Sequence, residues 1–295
     1  PRITARWLVR LLSNWGRWGP DDERGTLNLI TPAMVAAAMR LVKTGRIYSL
    51  SVPVGPDTPL PAIRNQIWHL CMVRNDPTIS RRRVADDTIM MHVHSSTHMD
   101  ALSHLWYEGR LFNGYPDDAV NQLGASKNAI TNVKGLIGRG VLLDVARHKG
   151  VARLDNSYVV TPEDLDACAR DEKVEIKPGD IVLVRTGYIS EFKKDTRLFE
   201  SGEPGPGKAC IEWFYRKQVC AIGADNVGVE KVPPEDPERP MVFHEQVIRD
   251  LGGYLIELLD LDELARDKVY EFLFIAAPLM ITRGVGSPIN PLAVV

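Results

Sequence analysis

TPEDLDACARDEKVEIKPGDIVLVRTG, residues 161–187, contains a candidate helix followed by a candidate strand. Thr161 and Asp164 have the spacing of a capping box and Pro162 takes the first helical position, so the segment predicts a helix that begins after Thr161. GDIVLVRTG is a short apolar run closed by glycine, which is typical of a buried strand. A helix that leads into a buried strand is the repeating unit of an α/β domain.

The same alternation continues along the chain. TPAMVAAAMRLVKTG predicts a second helix, because Thr31 can cap it, Pro32 comes first and Gly45 marks the exit. Further strands are predicted in GRIYSLSV, GVLLDVA, CAIGAD, YLIELL and FLFIAA, and further helices in WFYRKQ and MVFHEQVIRD. Several of these strands are apolar on both faces, so the sequence predicts an α/β fold with a covered sheet.

Composition and charge exclude several classes of protein. The 295 residues are 44% hydrophobic and 25% charged, as in a soluble globular protein with a sizeable core. A net charge of −2 with mixed signs gives no basic face for nucleic acid, and no apolar run is long enough for a membrane span. The four cysteines form no CxxC pair, which favours a reduced, cytoplasmic protein. We find no glycine-rich phosphate loop, so no nucleotide cofactor is expected.

The chain opens with an amphipathic pattern. Apolar side chains recur there at helical spacing: Ile3, Trp7, Leu8, Leu11, Leu12 and Trp15. The pattern predicts a helix whose apolar face needs a partner. We therefore expect residues 1–44 to form a helical extension that packs on the body or on a neighbouring subunit, and residues 45–295 to form the main domain.

The stretch HVHSSTHMDALSHLW, which starts at residue 92, holds four of the seven histidines. The preceding TIMMHVH alternates like a strand and would place His92 and His94 on one side. After a turn, His98 and Asp100 could converge with His94 on one cation, because imidazole and carboxylate are normal ligands of zinc, manganese and iron. His104 would lie near that ion as a general base or acid, since imidazole titrates close to neutral pH.

A second candidate segment is HEQVIRDLGGYLIE, residues 244–257. His244 is expected on a helix and Glu257 on the following strand, so the two side chains could reach the same ion or hold a second one. His69 and His148 have no such company and are expected to be surface or structural residues. The role of His92 stays open between support of the site and packing.

HSSTHMDALSH resembles the H-x-G-T-H-x-D-x-x-x-H signature of the cyclase-like metal-dependent hydrolases, a family that includes kynurenine formamidase, isatin hydrolase and a trans-dienelactone hydrolase. The resemblance continues in GVLLDVA, GDIVLVRTG, IGADNVGVE and HEQVIRDLGGYLIE, so it covers roughly residues 45–280. It implies the swivelling β/β/α fold of that family, with a mixed sheet flanked by helices, and makes residues 45–295 the hydrolase domain.

The resemblance also implies a role for each matching residue. His94, His98 and Asp100 match the ligands of a divalent metal, Zn²⁺ or Mn²⁺, and His104 matches the catalytic histidine. Where the family holds two ions the aspartate bridges them, and here the remaining ligands of the second ion are His244 and Glu257. Whether one or two ions are bound stays open.

One position departs from the family signature, which has glycine where this chain has Ser96. The turn is therefore expected to differ slightly, and the extra hydroxyl could approach the reacting water.

The main hypothesis for function is hydrolysis of an amide, lactam, lactone or aryl-formamide carbonyl in a small-molecule substrate. The metal would activate a water molecule and polarise the carbonyl, and His104 would carry the proton to the leaving atom. Five aromatic residues could form a wall for a flat substrate: Trp15, Trp18, Trp68, Trp106 and Tyr107. Family members are often oligomeric, so a homodimer or homotetramer is expected.

Two other functions are compatible with the same residues. A His-x-Asp pair with a distant histidine also fits the facial triad of non-haem iron oxygenases, here His98, Asp100 and His244. Those triads are common in all-β scaffolds, so the α/β alternation counts against this function. The second alternative is a non-catalytic protein that a metal ion stabilises. Structural metal sites usually have four protein ligands, often cysteines, and the histidine cluster contains no cysteine.

Overall fold

The structure, a computed structural model, describes residues 12–76, 78 and 81–295. The strands of this part of the chain are β1 (Ile47–Ser49), β2 (Trp68–Asn75), β3 (Arg83–Met90), β4 (His98–Asp100), β5 (Val120–Asn121), β6 (Gly124–Ala125), β7 (Leu136–Asp144), β8 (Val159–Val160), β9 (Ile181–Arg185), β10 (Gly205–Pro206), β11 (Ala221–Ala224), β12 (Tyr254–Glu257), β13 (Glu271–Ala276), β14 (Gly286–Pro288) and β15 (Leu292–Val294).

The helices lie mostly between the strands of the central sheet. The α-helices are α1 (Pro32–Met39), α2 (Val145–His148), α3 (Pro162–Asp171), α4 (Tyr188–Phe192), α5 (Cys210–Lys217), α6 (Val242–His244) and α7 (Asp262–Asp267). A π-helical segment, Glu245–Asp250, continues α6. Short 3-10 helices occur at Gly25–Leu29, Phe112–Gly114, Asp117–Ala119, Ile130–Asn132 and Thr196–Ser201.

Nine strands form one mixed sheet in the order β1-β15-β13-β7-β9-β11-β12-β4-β14. The four central strands from β7 to β12 are parallel, and every strand outside them is antiparallel to its neighbour. Helix α3 begins as predicted, with the reciprocal capping box of Thr161 and Asp164. The predicted α/β fold with a mixed sheet flanked by helices is confirmed.

Both faces of the central sheet are buried. Along β9, Ile181 and Leu183 belong to one hydrophobic core, while Val182 and Val184 belong to the other. Successive side chains of a strand point to opposite faces, so a strand covered on both sides must be apolar throughout. This requirement explains the uninterrupted apolar run that identified the strand in the sequence.

Residues early in the described chain contact the later part of the sequence. The Asn14 backbone N–H donates to the Asp250 carbonyl (3.0 Å), and the Thr26 N–H donates to the Gly252 carbonyl (2.8 Å). Most of the amphipathic helix expected at the start of the chain lies outside the described residues.

The expectation of a strand through TIMMHVH is wrong at its C-terminal end. Strand β3 ends at Met90, and His94 lies in the turn before β4. The next strand, β4, consists of His98–Asp100 and was not predicted. Three residues are too few to show alternation, and this strand forms because neighbours on both sides supply its hydrogen bonds.

Strands β2 and β3 form a two-stranded ribbon outside the central sheet. They pair over eight residues each, and nearly all of their side chains are exposed. The exposed apolar side chains of this ribbon are Trp68, Leu70, Met72, Val73, Ile89 and Met90. Of this ribbon, only the end of the second strand, residues 88–90, was predicted, because charged residues interrupt the apolar pattern before it.

The four cysteines are free thiols, of which Cys71 is exposed and the other three are buried. Among the described residues, the helices are too short or too polar to span a membrane.

Glu172, at the end of α3, is expected to link stability to pH. Burial raises the pKa of its carboxyl group to about 8. The folded protein then holds a proton that the unfolded chain releases near pH 4.5. The contribution of Glu172 to the free energy of unfolding is therefore fully present below pH 4.5, the unfolded pKa, and is lost as the pH rises through about 8, the folded pKa.

The substitution Glu172→Gln removes this ionisation. Between pH 5 and pH 8.5 the wild type should lose roughly 1–3 kcal/mol of unfolding free energy relative to the variant, as measured by urea denaturation. Glu163→Gln, at an exposed position of the same helix, serves as the control. Identical pH dependence in wild type and Glu172→Gln would contradict the prediction.

Candidate metal centre

The carboxylate of Asp100 lies at the centre of the histidine cluster. Its Oδ1 atom is 3.4 Å from His94 Nε2, 3.7 Å from His98 Nε2 and 3.9 Å from His104 Nε2. Its Oδ2 atom is 3.9 Å from His244 Nε2. Four imidazoles therefore present the same ring nitrogen to one buried carboxylate.

Glu257 joins the same cluster from the neighbouring strand. Its Oε1 atom is 2.8 Å from His244 Nε2, and its Oε2 atom is 3.0 Å from His98 Nε2. Strands β12 and β4 are paired with Glu257 opposite His98, so both side chains project from the same face. The structure thus brings the two segments that the sequence singled out into one site.

Strands β4 and β14, at one edge of the sheet, orient His94, His98 and Asp100. His98 and Asp100 are two residues apart on β4, so they share a face. Gly286 of β14 lies opposite Asp100, and a Cβ atom built on it would be 2.4 Å from His94 Nε2. The His94 ring therefore fits only because residue 286 has no side chain.

Ser96 fills the turn between His94 and β4 and is fully buried. Its φ of +56° explains why a glycine suits this position, because a residue with a Cβ is strained there. The Ser96 hydroxyl donates to the Val52 carbonyl (2.9 Å), so it is held away from the reacting groups. The Ser96 carbonyl is 2.9 Å from His98 Nδ1 and accepts that ring N–H, which leaves Nε2 facing the cluster.

Three buried atoms of the cluster lack a hydrogen-bond partner among the described residues: His94 Nε2 and both carboxylate oxygens of Asp100. Buried polar atoms are rarely left unpaired, and imidazole nitrogen with carboxylate oxygen is a donor set that suits Zn²⁺ or Mn²⁺. Two groups could each hold an ion: His94, Asp100 and His104, and Asp100, His244 and Glu257. The residues present therefore fit one or two divalent cations that share Asp100.

Burial and mutual charge shift the titration of these groups. Burial, helped by the neighbouring histidines, lowers the pKa of His94 to about 2. Burial raises the pKa of Asp100, because its charged form loses contact with water. Burial alone would raise the pKa of Glu257, but His98 and His244 hold it well below its usual range. Neutral His94 and ionised Glu257 are the forms in which these side chains bind metals.

His104 is the most exposed member of the cluster, with 24% of its side chain accessible. Its ring stacks on that of His94 with the centroids 3.9 Å apart. Burial lowers the pKa of His104, so its imidazole is neutral and can accept a proton. His104 therefore faces both the buried carboxylate and the solvent, a position that allows either proton transfer or metal binding.

The other three histidines lie outside the cluster. The side chain of His92 is exposed. His69 pairs with Asp87 on the ribbon, and His148 pairs with Asp171. These ion pairs are what the surface or structural roles expected for His69 and His148 require.

The five aromatic residues proposed as a substrate wall lie in different surroundings. Trp15 and Trp18 pack against a hydrophobic core. Tyr107 donates its hydroxyl hydrogen to Asp250 (2.6 Å), and the Arg249 guanidinium lies 4.0 Å from its ring centroid. Trp106 is half-buried, whereas Trp68 is exposed on the ribbon.

Sequence analysis missed Glu230. Its Oε1 atom is 2.7 Å from His244 Nδ1, on the far side of the ring from Glu257. Glu230 ends the segment IGADNVGVE, but a single glutamate in a loop gives no local signal of such a contact.

Comparison with known proteins identifies the family of this chain. The family model described as "Putative cyclase" matches residues 48–231, which is more than half of the chain. The chain belongs to the Cyclase family. Both the histidine turn and the loop that ends at Glu230 lie within the matched region.

Individual relatives extend the similarity over most of the chain. The chain is 26% identical to isatin hydrolase of Roseibium aggregatum over 257 residues, which span 82% of this chain and 89% of that protein. The crystal structure of a novel cyclase is 37% identical, with a TM-score of 0.91 over 97% of this chain and 99% of that one. An isatin hydrolase bound to the product analogue thioisatinate shares the fold at 23% identity, with a TM-score of 0.66 over 90% of this chain and 99% of that one.

The contact between Gly286 and His94 leads to a testable substitution. Gly286→Ala would place a methyl group 2.4 Å from His94 Nε2, so the ring must move. We expect divalent-metal affinity to fall by at least about tenfold, measured by competition with a chromophoric chelator. Gly55→Ala is the control, because a Cβ there meets nothing within 4 Å. A Gly286→Ala protein with wild-type affinity would show that His94 is not needed in its present position.

Proposed function

We propose that this chain is a metal-dependent hydrolase that opens an amide, lactam, lactone or aryl-formamide bond. The observation that carries the proposal is the Asp100 carboxylate, buried without a hydrogen bond from the described residues and faced by four imidazole Nε2 atoms. Such a constellation is expensive in free energy unless a cation balances it.

In the proposed mechanism five side chains would hold one or two divalent cations: His94, His98, Asp100, His244 and Glu257. When bound, such a cation would supply Lewis acidity to the carbonyl oxygen and to a water molecule. His104 Nε2 takes a proton from the attacking water while the water oxygen bonds to the carbonyl carbon. When the bond from carbon to the leaving nitrogen or oxygen breaks, His104 returns the proton to the leaving atom, and the carboxylic acid that forms releases its own proton to water.

The similarity to isatin hydrolase supports a cyclic amide as the first substrate class to test. The partial exposure of His104 supports its role, because the proton carrier must meet the substrate while the ligands stay buried. The four free thiols support a reducing, cytoplasmic location.

Two alternatives share part of the site. His98, Asp100 and His244 also converge, as a facial triad of an iron oxygenase requires. However, His94 and Glu257 enlarge the donor set beyond three ligands, and the α/β fold differs from the usual scaffold of such enzymes. A purely structural metal would not require a partly exposed histidine beside the carboxylate. Oxygen consumption by iron-loaded protein tests the first alternative, and turnover of any substrate excludes the second.

Alanine substitutions separate the ligands from the proton carrier. His94→Ala and His98→Ala should lose bound Zn²⁺ or Mn²⁺, as measured by elemental analysis, because each removes a donor from the cluster. His104→Ala should keep most of the metal but lose about 10²–10⁴-fold in hydrolysis rate. The rate is measured as acid release from a panel of cyclic amides, lactones and aryl formamides.

His92→Ala is the matched control, because this histidine lies two residues from His94 but is exposed. It should keep both metal and activity. Unchanged metal content in His94→Ala and His98→Ala would refute the proposed site. Equal metal loss in His104→Ala would assign His104 to the ligands instead.

We further propose that the chain forms a homodimer through the ribbon of β2 and β3. An isolated two-stranded ribbon is marginally stable in water, and this one exposes apolar side chains such as Leu70 and Met72. A twofold interface between two copies would bury the same surface on each. The ribbon leads directly into the turn of His94, so the interface would lie close to the candidate site.

Charged substitutions test the interface. The double substitution Leu70→Glu and Met72→Glu should convert the dimer to a monomer in size-exclusion chromatography with light scattering, because like charges would meet across the interface. Leu123→Glu, at another exposed apolar position, should leave the mass unchanged. A double variant with the mass of the wild-type oligomer would exclude the ribbon as the interface.

A further inference from the structure

Glu230 is a buried glutamate that holds the backbone and the ring of His244 at the same time. It lies in the loop after β11 and is 3% exposed. Its Oε1 atom accepts the His244 backbone N–H (2.9 Å) and is 2.7 Å from His244 Nδ1. Its Oε2 atom is 3.3 Å from the Phe243 backbone nitrogen and accepts that N–H. One carboxylate therefore binds the first turn of α6 and fixes the ring that projects from it.

This contact determines which ring nitrogen of His244 faces the candidate metal centre. Both Glu230 oxygens already accept backbone N–H groups, so the contact with Nδ1 is an N–H donated by the ring. Nε2 is then the nitrogen that faces Glu257 (2.8 Å) and Asp100 (3.9 Å). A ring that is fixed in this way cannot turn its other nitrogen towards the cluster.

The two histidines that touch Glu257 are oriented by acceptors of different strength. His98 Nδ1 donates to the neutral carbonyl of Ser96, whereas His244 Nδ1 donates to the carboxylate of Glu230. A charged acceptor makes a shorter and stronger hydrogen bond and raises the basicity of the opposite ring nitrogen. Glu230 therefore acts on the donor strength of His244 as well as on its position.

The loop that carries Glu230 is itself tightly bound. The Glu203 carboxylate accepts the backbone N–H groups of Val227 (2.6 Å) and Gly228 (2.8 Å). Asn226 Nδ2 donates to the Val229 carbonyl (3.0 Å). Val229 adopts a φ of +58°, which is strained for a β-branched residue and persists only where the surroundings determine it. These bonds keep the Glu230 backbone in place.

We propose that Glu230 is a positioning residue of the candidate metal centre, which fixes the tautomer and orientation of His244 so that Nε2 serves as a metal donor. The inference rests on the proposed function only in that the cluster binds a divalent cation. It concerns the group of Asp100, His244 and Glu257, and it predicts a loss of metal affinity when the charged acceptor is removed.

Zn²⁺ titration of the chelator-treated 295-residue chain tests the proposal. Glu230→Gln keeps the shape and a weaker acceptor, and its affinity for Zn²⁺ should fall about tenfold. Glu230→Met removes the acceptor altogether. Its Zn²⁺ affinity should be lower than that of Glu230→Gln, by up to about 100-fold relative to the wild type. Selective ¹⁵N-histidine NMR provides a second readout, because the Nδ1–H signal of His244 in the wild type should shift or disappear in Glu230→Met.

Glu245→Gln is the matched control, because Glu245 follows His244 directly but pairs with Arg239. Its Zn²⁺ affinity should equal that of the wild type. His244→Ala gives the size of the effect when the donor itself is lost. If Glu230→Met does not fold, as judged by circular dichroism and thermal unfolding, Glu230→Gln alone decides.

The outcomes distinguish this inference from the proposed function. Wild-type affinity in Glu230→Gln, together with a loss in His244→Ala, overturns the role of Glu230 and leaves the metal-dependent hydrolase standing. A wild-type protein that binds neither Zn²⁺ nor Mn²⁺ overturns both. Lower unfolding temperature with unchanged Zn²⁺ affinity would show a purely structural role for Glu230 and would also overturn the inference.

Discussion

Burial of the Asp100 carboxylate among imidazoles is the constraint on which the candidate site depends. Neither of its oxygens accepts a hydrogen bond from the described residues, so the surrounding groups must balance its charge in an interior of low dielectric. The histidines cannot all do so as cations, because burial and mutual repulsion drive the pKa of His94 to about 2. The proposed divalent cation would satisfy the Asp100 carboxylate and the neutral ring of His94 together.

The sheet supplies the rigidity that this arrangement needs. Strand β4 is only three residues long, but β12 and β14 pair with it on both sides and fix the direction of His98 and Asp100. The same pairing places Glu257 beside His98 and leaves the space over Gly286 for the His94 ring. A metal centre requires its donors within fractions of an ångström, and strands held on both edges provide that precision better than free loops.

Groups that do not belong to the donor set also hold the donor rings in place. The Ser96 carbonyl fixes the ring of His98, and the carboxylate of Glu230 meets the ring of His244 from the far side. These contacts come from a turn and from a loop distant in sequence, so each donor is oriented by a different part of the chain. The site is therefore a product of the whole domain, although most of its candidate donors come from one short segment.

Much of the fold and of the candidate site was predictable from the sequence, because the relevant signals are local. The capping box of Thr161 and the apolar run of β9 identify a helix and a strand by short-range chemistry. His94, His98 and Asp100 are close in sequence, so their convergence needed only a turn. The strand expected through His94 was wrong because the end of β3 depends on a distant partner. Met90, the last residue of β3, lies opposite Trp68, the first residue of β2, and the strand ends there although the alternation continues.

The sequence by itself determined the α/β class, the capped helix starts and the buried strands, since each follows from local pattern. It also named the candidate donors, from their spacing and from the family resemblance. Only the tertiary structure decided that Glu257 meets His98, that Gly286 makes room for His94 and that Glu230 holds His244. These contacts join residues that are distant in sequence or lie on different elements. They exist because the strand order of the sheet brings their elements together, and no local propensity encodes that order.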